Sequence, residues 1–263
     1  MATSDEVPVG TELNAYKPTV VLLHGWGYDN TCWPEVMLQQ LRDSYDLILL
    51  DLPGHGQDPY VEDNRNSLEQ LDEWIISTKQ LLPSQYHLMG WSLGAQIAIR
   101  MAHNDRCIQR LMLMAVNPKF MSSDEWSAAM APELLAKFEQ GYETQTSKTL
   151  RRFASLQAQG SNNSKFLTAQ MIQLMPVQPE KIFGLKLLQE LDERAHLCQL
   201  SQPCFIELAQ ADELVPSDWV NHLLLPNNVQ IHTVAGGHGY LLEANGINKT
   251  MAKFIDVGVG NDA

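Results

Sequence analysis

Residues 86–102 read YHLMGWSLGAQIAIRMA, an apolar strand-like run that passes into helical periodicity with Ser92 at the joint, between Gly90 and Gly94. A strand that turns straight into a helix holds the joint residue in strained backbone geometry. Side chains two positions either way would collide there unless both were glycine. In that setting the G-x-S-x-G pattern lifts a serine hydroxyl above the sheet, over the free N–H groups and positive dipole end of the following helix. A bare turn would also accept the pentapeptide. The strand before it and the helix after it make Ser92 a candidate nucleophile.

The rest of the chain repeats the strand-then-helix order. Residues 18–27 (PTVVLLHGWG) begin as a β-branched apolar run, the mark of a strand buried on both faces, and end in a glycine-rich loop. Residues 45–58 (YDLILLDLPGHGQD) do the same. Over 67–82, Leu68, Leu71, Ile75 and Leu82 fall at helical spacing behind Ser67 as the expected cap. A further strand is expected over 108–118. From 119 to 198 the style changes: 124–159 and 164–175 read as amphipathic helices with no strand between them. Two more strands follow, in 203–216 and 229–242, then a closing helix over 243–258. This order predicts an α/β fold, a doubly wound, mostly parallel sheet whose core is 1–118 and 199–263, with an inserted helical lid at 119–198. Ligands in such sheets bind at the carboxyl ends of the strands.

Composition narrows the partners. Thirty-one acidic against 18 basic residues give a net charge of −13, which argues against diffuse attraction to nucleic acid or to an anionic membrane. Cys32, Cys107, Cys198 and Cys204 lack metal or redox spacing and read as buried thiols in a reducing compartment. The N-terminal stretch has neither the basic nor the apolar region of a secretion signal, and no run is long enough to span a bilayer, so a cytoplasmic protein is expected. No metal or organic cofactor is implied.

A serine hydroxyl needs a base, and the base needs an orienting acid; on this architecture they follow in the order Ser, Asp, His. Of the histidines in the C-terminal third of the chain, His196, His222, His232 and His238, the last is flanked by glycines past the final strand and is freest to reach Ser92. His232 reads as a sheet residue and His222 as a helix-face residue. Asp212, after the preceding strand, is the natural acid; Glu213 and Asp218 compete in sequence, although Asp218 has the place of a helix cap. Asn117 removes the other common position for the acid. Backbone donors for a developing oxyanion would be the N–H of Leu93, just after the nucleophile, and that of Trp26 in the loop His24-Gly25-Trp26-Gly27. That loop would also fit a plain turn with a core tryptophan.

Together HGWG, DLPGHG, GWSLGA, ADELVP and GGHG resemble the α/β-hydrolase superfamily over nearly the whole chain. More narrowly, HGWGYDNTCW, GWSLG, DEW at 124–126 and RRFASLQAQG at 151–160 are similar to the pimeloyl-[acyl-carrier protein] methyl ester esterases of biotin synthesis. That resemblance implies a serine esterase releasing methanol from a pimeloyl methyl ester carried on acyl carrier protein. It implies a triad of Ser92, Asp212 and His238, oxyanion and ester contacts at Trp26 and Leu93, and an acyl-binding segment of Phe153, Ala154, Ser155, Leu156 and Gln157. Arg152, Lys148 and Lys165 would face the acidic carrier protein, within a group of cations that includes Lys137 and Arg151; a monomer is expected. The chain departs from the family at Ala95, where glycine is expected; the added methyl, at the packing of helix on sheet, either disturbs that packing little or narrows the acyl pocket. It departs again at Ala169, in place of a basic residue, and before Lys17, where few residues remain for an opening hairpin. A broad short-acyl esterase or a carbon–carbon bond hydrolase on the same fold stands as the alternative, and a non-catalytic binding protein as the alternative of another class.

Overall fold

The computed structural model describes residues 17–58, 65–243 and 246–256; the expectation about an opening hairpin falls outside them. In chain order the elements are β1 (Thr19–Leu23), α1 (Glu35–Arg42), β2 (Asp46–Leu50), α2 (Ser67–Lys79), β3 (Tyr86–Trp91), α3 (Leu93–Ala102), β4 (Ile108–Met114), α4 (Pro132–Gln157), α5 (Ser164–Leu174), α6 (Ile182–Glu190), α7 (Arg194–Cys198), β5 (Cys204–Ala209), β6 (Val229–Val234), α8 (Tyr240–Glu243) and α9 (Lys249–Asp256). The six strands form one sheet in the order β2-β1-β3-β4-β5-β6, every pairing parallel. Successive strands run outward from β1 in opposite directions, so the loops after β1 and β3 face a common crevice at the carboxyl edge.

Burial follows position in the sheet. Val20 to Leu23 and the whole of β3 and β5 are buried, as near-continuous apolar runs covered on both faces must be, whereas the edge strands β2 and β6 are half exposed. Helix α3 is buried along every residue but Arg100. That guanidinium donates from Nε and Nη2 to both oxygens of Asp72 at 2.6 and 2.9 Å, and from Nη1 to the buried Glu193 at 2.9 Å. One fork thereby ties α3 to α2 and to the start of α7. Half-buried, bidentate pairs of this kind resist both solvent and salt better than single surface pairs.

Between β4 and β5 the described chain adds only isolated bridges to the strand inventory, Lys119 with Asp192, Met121 with Met130 and Ser123 with Trp126. The expected helix over 124–159 begins only at Pro132, since Ala131 and Pro132 set its start, and residues 121–130 form bridged loops instead. Helix α4 is broken at Gln145 (φ −144°, ψ 50°). Thr144 Oγ1 donates to Gln140 O and Thr146 Oγ1 to Tyr142 O, the back-bonding by which hydroxyl side chains bend a helix.

Three smaller expectations are corrected. Asn66, not Ser67, caps α2, its side chain accepting from Leu68 N at 2.8 Å; Ser67 lies inside the helix. Only Cys32 and Cys204 are buried; Cys107 is exposed and Cys198 half exposed, because they sit in the turn before β4 and at the end of the short α7. The Ala95 methyl is fully buried beneath the β3–α3 joint and lines no part of the pocket described below, so it does not narrow it.

At Gly94 the backbone of α3 and that of β1 leave no room for a side chain. A Cβ there would stand 2.3 Å from Leu23 O and 2.5 Å from His24 O, and one at Gly90 would meet Gly94 O at 2.5 Å. Backbone carbonyls cannot yield as side-chain ends do. Gly94→Ala is therefore expected to cost about 3 kcal/mol or more of folding free energy, read as a lower urea midpoint at unchanged m value.

Candidate active site

Ser92 stands at the β3–α3 joint with φ 56° and ψ −119°, a conformation that costs a non-glycine residue about 1–3 kcal/mol. Its surroundings impose it. Ser92 N donates to Met114 O at 2.9 Å, and Ser92 O accepts from Ala95 N at 2.9 Å and Gln96 N at 3.2 Å, so the residue is bonded into β4 on one side and α3 on the other. The hydroxyl is left pointing into the crevice, where Oγ lies 2.9 Å from His238 Nε2.

His238 comes from the loop between β6 and α8, and Asp212 from the loop after β5. His238 Nδ1 donates to Asp212 Oδ2 at 2.8 Å, which leaves Nε2 as the acceptor facing Ser92. Asp212 is itself held, its Oδ1 accepting from Leu214 N and Val215 N, each at 2.9 Å. Both groups are almost wholly buried, so the hydrogen bond between them is shielded from solvent. These distances are those of a nucleophile, a base and an orienting acid. Of the competitors, Glu213 is exposed at the pocket's edge and Asp218 is exposed in the first turn of the 3₁₀ segment Ser217–His222. His232 Nδ1 pairs with Glu207 at 3.0 Å, while His222 lies edge-on to Trp126.

The loop after β1 lies across the crevice from Ser92. The N–H groups of Trp26 and Leu93 have no acceptor among the described residues. The Trp26 ring is buried and meets Phe138, Tyr142 and Phe153 of α4 edge-to-face at 5.2, 5.3 and 5.2 Å, with Nε1 donating to Lys181 O at 2.8 Å. Two buried histidines fix the backbone around it. His24 Nε2 accepts from Leu52 N at 3.0 Å and His55 Nε2 from Gly27 N at 3.3 Å, while their Nδ1 atoms donate to Gly25 O and Pro53 O. These roles require neutral rings. Burial brings the His24 pKa down from 6.5 to about 4, with the Gly25 carbonyl and Asp51 only partly opposing it, and burial, reinforced by repulsion from His24 and from the Lys181 ammonium against a second charge, pushes His55 well below the usual range.

A cavity of about 340 Å³ opens beside Ser92 and His238, at the small end of ordinary ligand pockets. Its walls are apolar, from Trp26, Phe138, Phe153, Leu156, Leu185 and Leu188 among others, and the exposed Arg152 and Glu213 border it. Of the segment 153–157 only Phe153 and Leu156 line this cavity, because one helix face presents residues three apart. Ala154 and Gln157 turn into the core, and Ser155 faces a separate outer groove that Lys165 shares. Gln157 Oε1 accepts from Tyr28 OH at 3.1 Å and its main-chain O from Gly239 N at 3.0 Å, next to His238. Lys148 is exposed one turn before Arg152 and bonds Gln145 within its own helix. Sequence reasoning passed over Leu185 and Leu188 of α6, whose only signal was the amphipathic pattern of the helical block, and over Lys181, which had none.

A parallel doubly wound sheet that carries a strained serine with a His–Asp pair at its carboxyl edge defines a class, the serine hydrolases of this architecture. The chain belongs to the alpha/beta hydrolase family, whose pattern matches residues 20–246. It is 36% identical over 214 residues to the pimeloyl-[acyl-carrier protein] methyl ester esterase of Aeromonas salmonicida (strain A449), covering 79% of this chain and 82% of that one. It is also 36% identical over 224 residues to the biotin biosynthesis bifunctional protein BioHC of Cellvibrio japonicus (strain Ueda107), covering 84% of this chain but only 43% of that longer protein. Among solved structures, a bromoperoxidase from Bacillus anthracis superposes with a TM-score of 0.77 at 18% identity, covering 92% of each chain, a likeness of fold alone.

The buried neutral histidines set the acid stability of the site. The unfolded chain takes a proton on His24 near pH 6.5 and the folded chain only near 4, so this contribution is whole above pH 6.5 and is lost as pH falls through that window. By pH 5 the stability lost amounts to about 2 kcal/mol, with His55 acting in the same direction. Urea unfolding at pH 7 and pH 5 reads the loss. The imidazole resonances of His24, still those of a neutral ring at pH 5 in the folded protein, check its origin.

Proposed function

We propose that the chain is a serine carboxylesterase that hydrolyses the methyl ester of pimeloyl-[acyl-carrier protein] to the free carboxylate and methanol, a step of biotin biosynthesis. The observation that carries the substrate is the kinship with esterases of that name at 36% identity over about four-fifths of both chains. An apolar cavity beside Ser92, bordered by an exposed arginine, agrees with an aliphatic acyl chain entering from a carrier. Among the described residues no helix is long and apolar enough to cross a membrane.

The reaction follows from the geometry. Ser92 Oγ attacks the ester carbonyl as His238 Nε2 takes its proton, and the Asp212 carboxylate steadies the imidazolium through Nδ1. The oxygen that gains charge is received by the N–H groups of Leu93 and Trp26, donors worth about 3 kcal/mol each in a dry site. His238 returns the proton to the departing methoxide, freeing methanol. A water then enters, His238 removes its proton, and collapse of the second tetrahedral intermediate releases the acid and restores Ser92. The helical block, residues 119–198, acts as the lid over the acyl chain, with Phe153 and Leu156 in contact with it. On the carrier side, Arg152 and Lys148 stand one turn apart on α4 and Lys165 projects from α5, a local cationic surface on a chain of net charge −13.

Two measurements test this reading. Ser92→Ala is expected to lower kcat on a short p-nitrophenyl ester by about 10³-fold or more and to abolish labelling by a fluorophosphonate; retained turnover would overturn the mechanism. Arg152→Glu should raise KM for the carrier-bound methyl ester about tenfold while leaving the free methyl ester unaffected. Equal losses on both would point to a broad short-acyl esterase instead.

A further inference from the structure

Lys181 is fully buried, 0% exposed, in the 3₁₀ turn that leads into α6. Its ammonium donates to Gly27 O and to Pro176 O, each at 2.6 Å, and its own carbonyl accepts from Trp26 Nε1 at 2.8 Å. The residue thus grips the loop after β1 at two successive positions, the ring of Trp26 and the carbonyl of Gly27. From the other side His55 Nε2 accepts from Gly27 N at 3.3 Å. The backbone that presents the Trp26 N–H is held between a neutral histidine of the core and a cation of the helical block. A buried ammonium is costly, and apolar packing would fill the same space at less expense.

We propose that Lys181 is a positioning residue of the reaction, holding the Trp26 N–H on the developing oxyanion and placing a buried positive charge behind the loop that carries it. This rests on the esterase reading given above. The effect is selective for the transition state. The ground-state carbonyl is neutral and its oxygen gains charge only on attack, so both the placed donor and the nearby cation favour the tetrahedral oxyanion over bound ester.

The charge on Lys181 is set by what faces it. Burial brings its pKa down from 10.5 to about 8, with Asp29 and Asp51 partly opposing the shift. Asp29 and His24 face it from the loop after β1 and Asp51 and His55 from the loop after β2, both histidines held neutral; Glu180 beside it is exposed, and Tyr142 of α4 reaches the same segment by donating to Gln178 O. Below pH 8 the group is an ammonium and the loop is gripped by charge-assisted bonds. Above it the group is a neutral amine, a weaker donor that lends no charge. An imidazole base works once it is neutral and so gives an activity limb on the acid side alone. Lys181 adds a second limb, a fall in kcat as pH rises through about 8.

The test is kcat and KM for a short p-nitrophenyl ester from pH 6 to 10, on the wild type and on Lys181→Met, which keeps the length of the side chain and removes the charge. The wild type is expected to lose kcat several-fold with an alkaline midpoint near 8 at constant KM. The variant is expected to show kcat lowered about tenfold at pH 7, unchanged KM and no alkaline limb. A wild-type kcat flat from pH 7 to 10, an alkaline limb that persists in Lys181→Met, or a variant with wild-type kcat would each overturn the proposal. The wild-type profile decides alone if the variant does not accumulate as folded protein. Ser92→Ala separates the two readings: turnover retained there removes the esterase mechanism, whereas turnover lost there with kcat unmoved in Lys181→Met removes only the role of Lys181.

Discussion

The first turn of α3 lies against the end of β1 so closely that Gly94 has no room for a methyl between its own backbone and the carbonyls of Leu23 and His24. This contact sets the distance between the two loops that make the site, because α3 begins one residue after Ser92 and the loop after β1 begins at His24. It also forces the backbone of Ser92 into its strained conformation, since the chain must leave the plane of the sheet within one residue to reach the helix. The strain is met by bonds from Ser92 to β4 and α3, all of them main-chain. Strand order then supplies the remaining parts. With β1 and β3 adjacent at the point where the winding reverses, and β5 two places along, the loops bearing Trp26, Ser92 and Asp212 open on the same edge.

Three buried histidines show how one side chain is given different work by its setting. His24 and His55 have both ring nitrogens committed to main-chain partners, and they brace the turns after β1 and β2. His238 has Nδ1 committed to a carboxylate and Nε2 turned to a hydroxyl. A ring whose second nitrogen meets another ionisable or nucleophilic group can move a proton; a ring that meets only peptide groups can hold a loop. Burial serves both purposes, by keeping the first two neutral and by shielding the Asp212–His238 pair from water.

What was legible in the sequence was local. The elbow pentapeptide, the β-branched runs of β1 and β3 and the glycine-flanked His238 each carry their signal within a few residues, and the alternating order of elements gave the sheet. Cap choice at Asn66 against Ser67 and the start of α4 at Pro132 were harder, because adjacent residues of similar propensity compete and tertiary contacts decide between them. Least legible were contacts that join distant parts of the chain through one polar atom. Nothing in the neighbourhood of Lys181 marks it as the partner of Gly27, and nothing near Gln157 marks Tyr28. The segment 153–157 shows the same limit within a helix: the family resemblance implied it as a block, but a helical face turns only Phe153 and Leu156 to the cavity.

Those two distant polar contacts explain why the helical block sits over the sheet in one register. Apolar packing of Phe138, Phe153 and Leu185 over the crevice favours burial but has little direction, so several placements of a helix would bury nearly the same area. Hydrogen bonds to fixed main-chain atoms do not allow that freedom. On one flank of the cavity Lys181 binds Gly27 and Trp26; on the other, Gln157 receives Tyr28 OH and the N–H of Gly239. The first anchor adjoins the backbone that would receive the oxyanion and the second adjoins His238. A shift of α4 or α6 strong enough to change the shape of the cavity therefore has to break a buried bond beside the loop of Trp26 or beside His238. In this chain the wall of the cavity and the groups that would perform the chemistry are thus mechanically a single unit, joined through atoms more than a hundred residues apart.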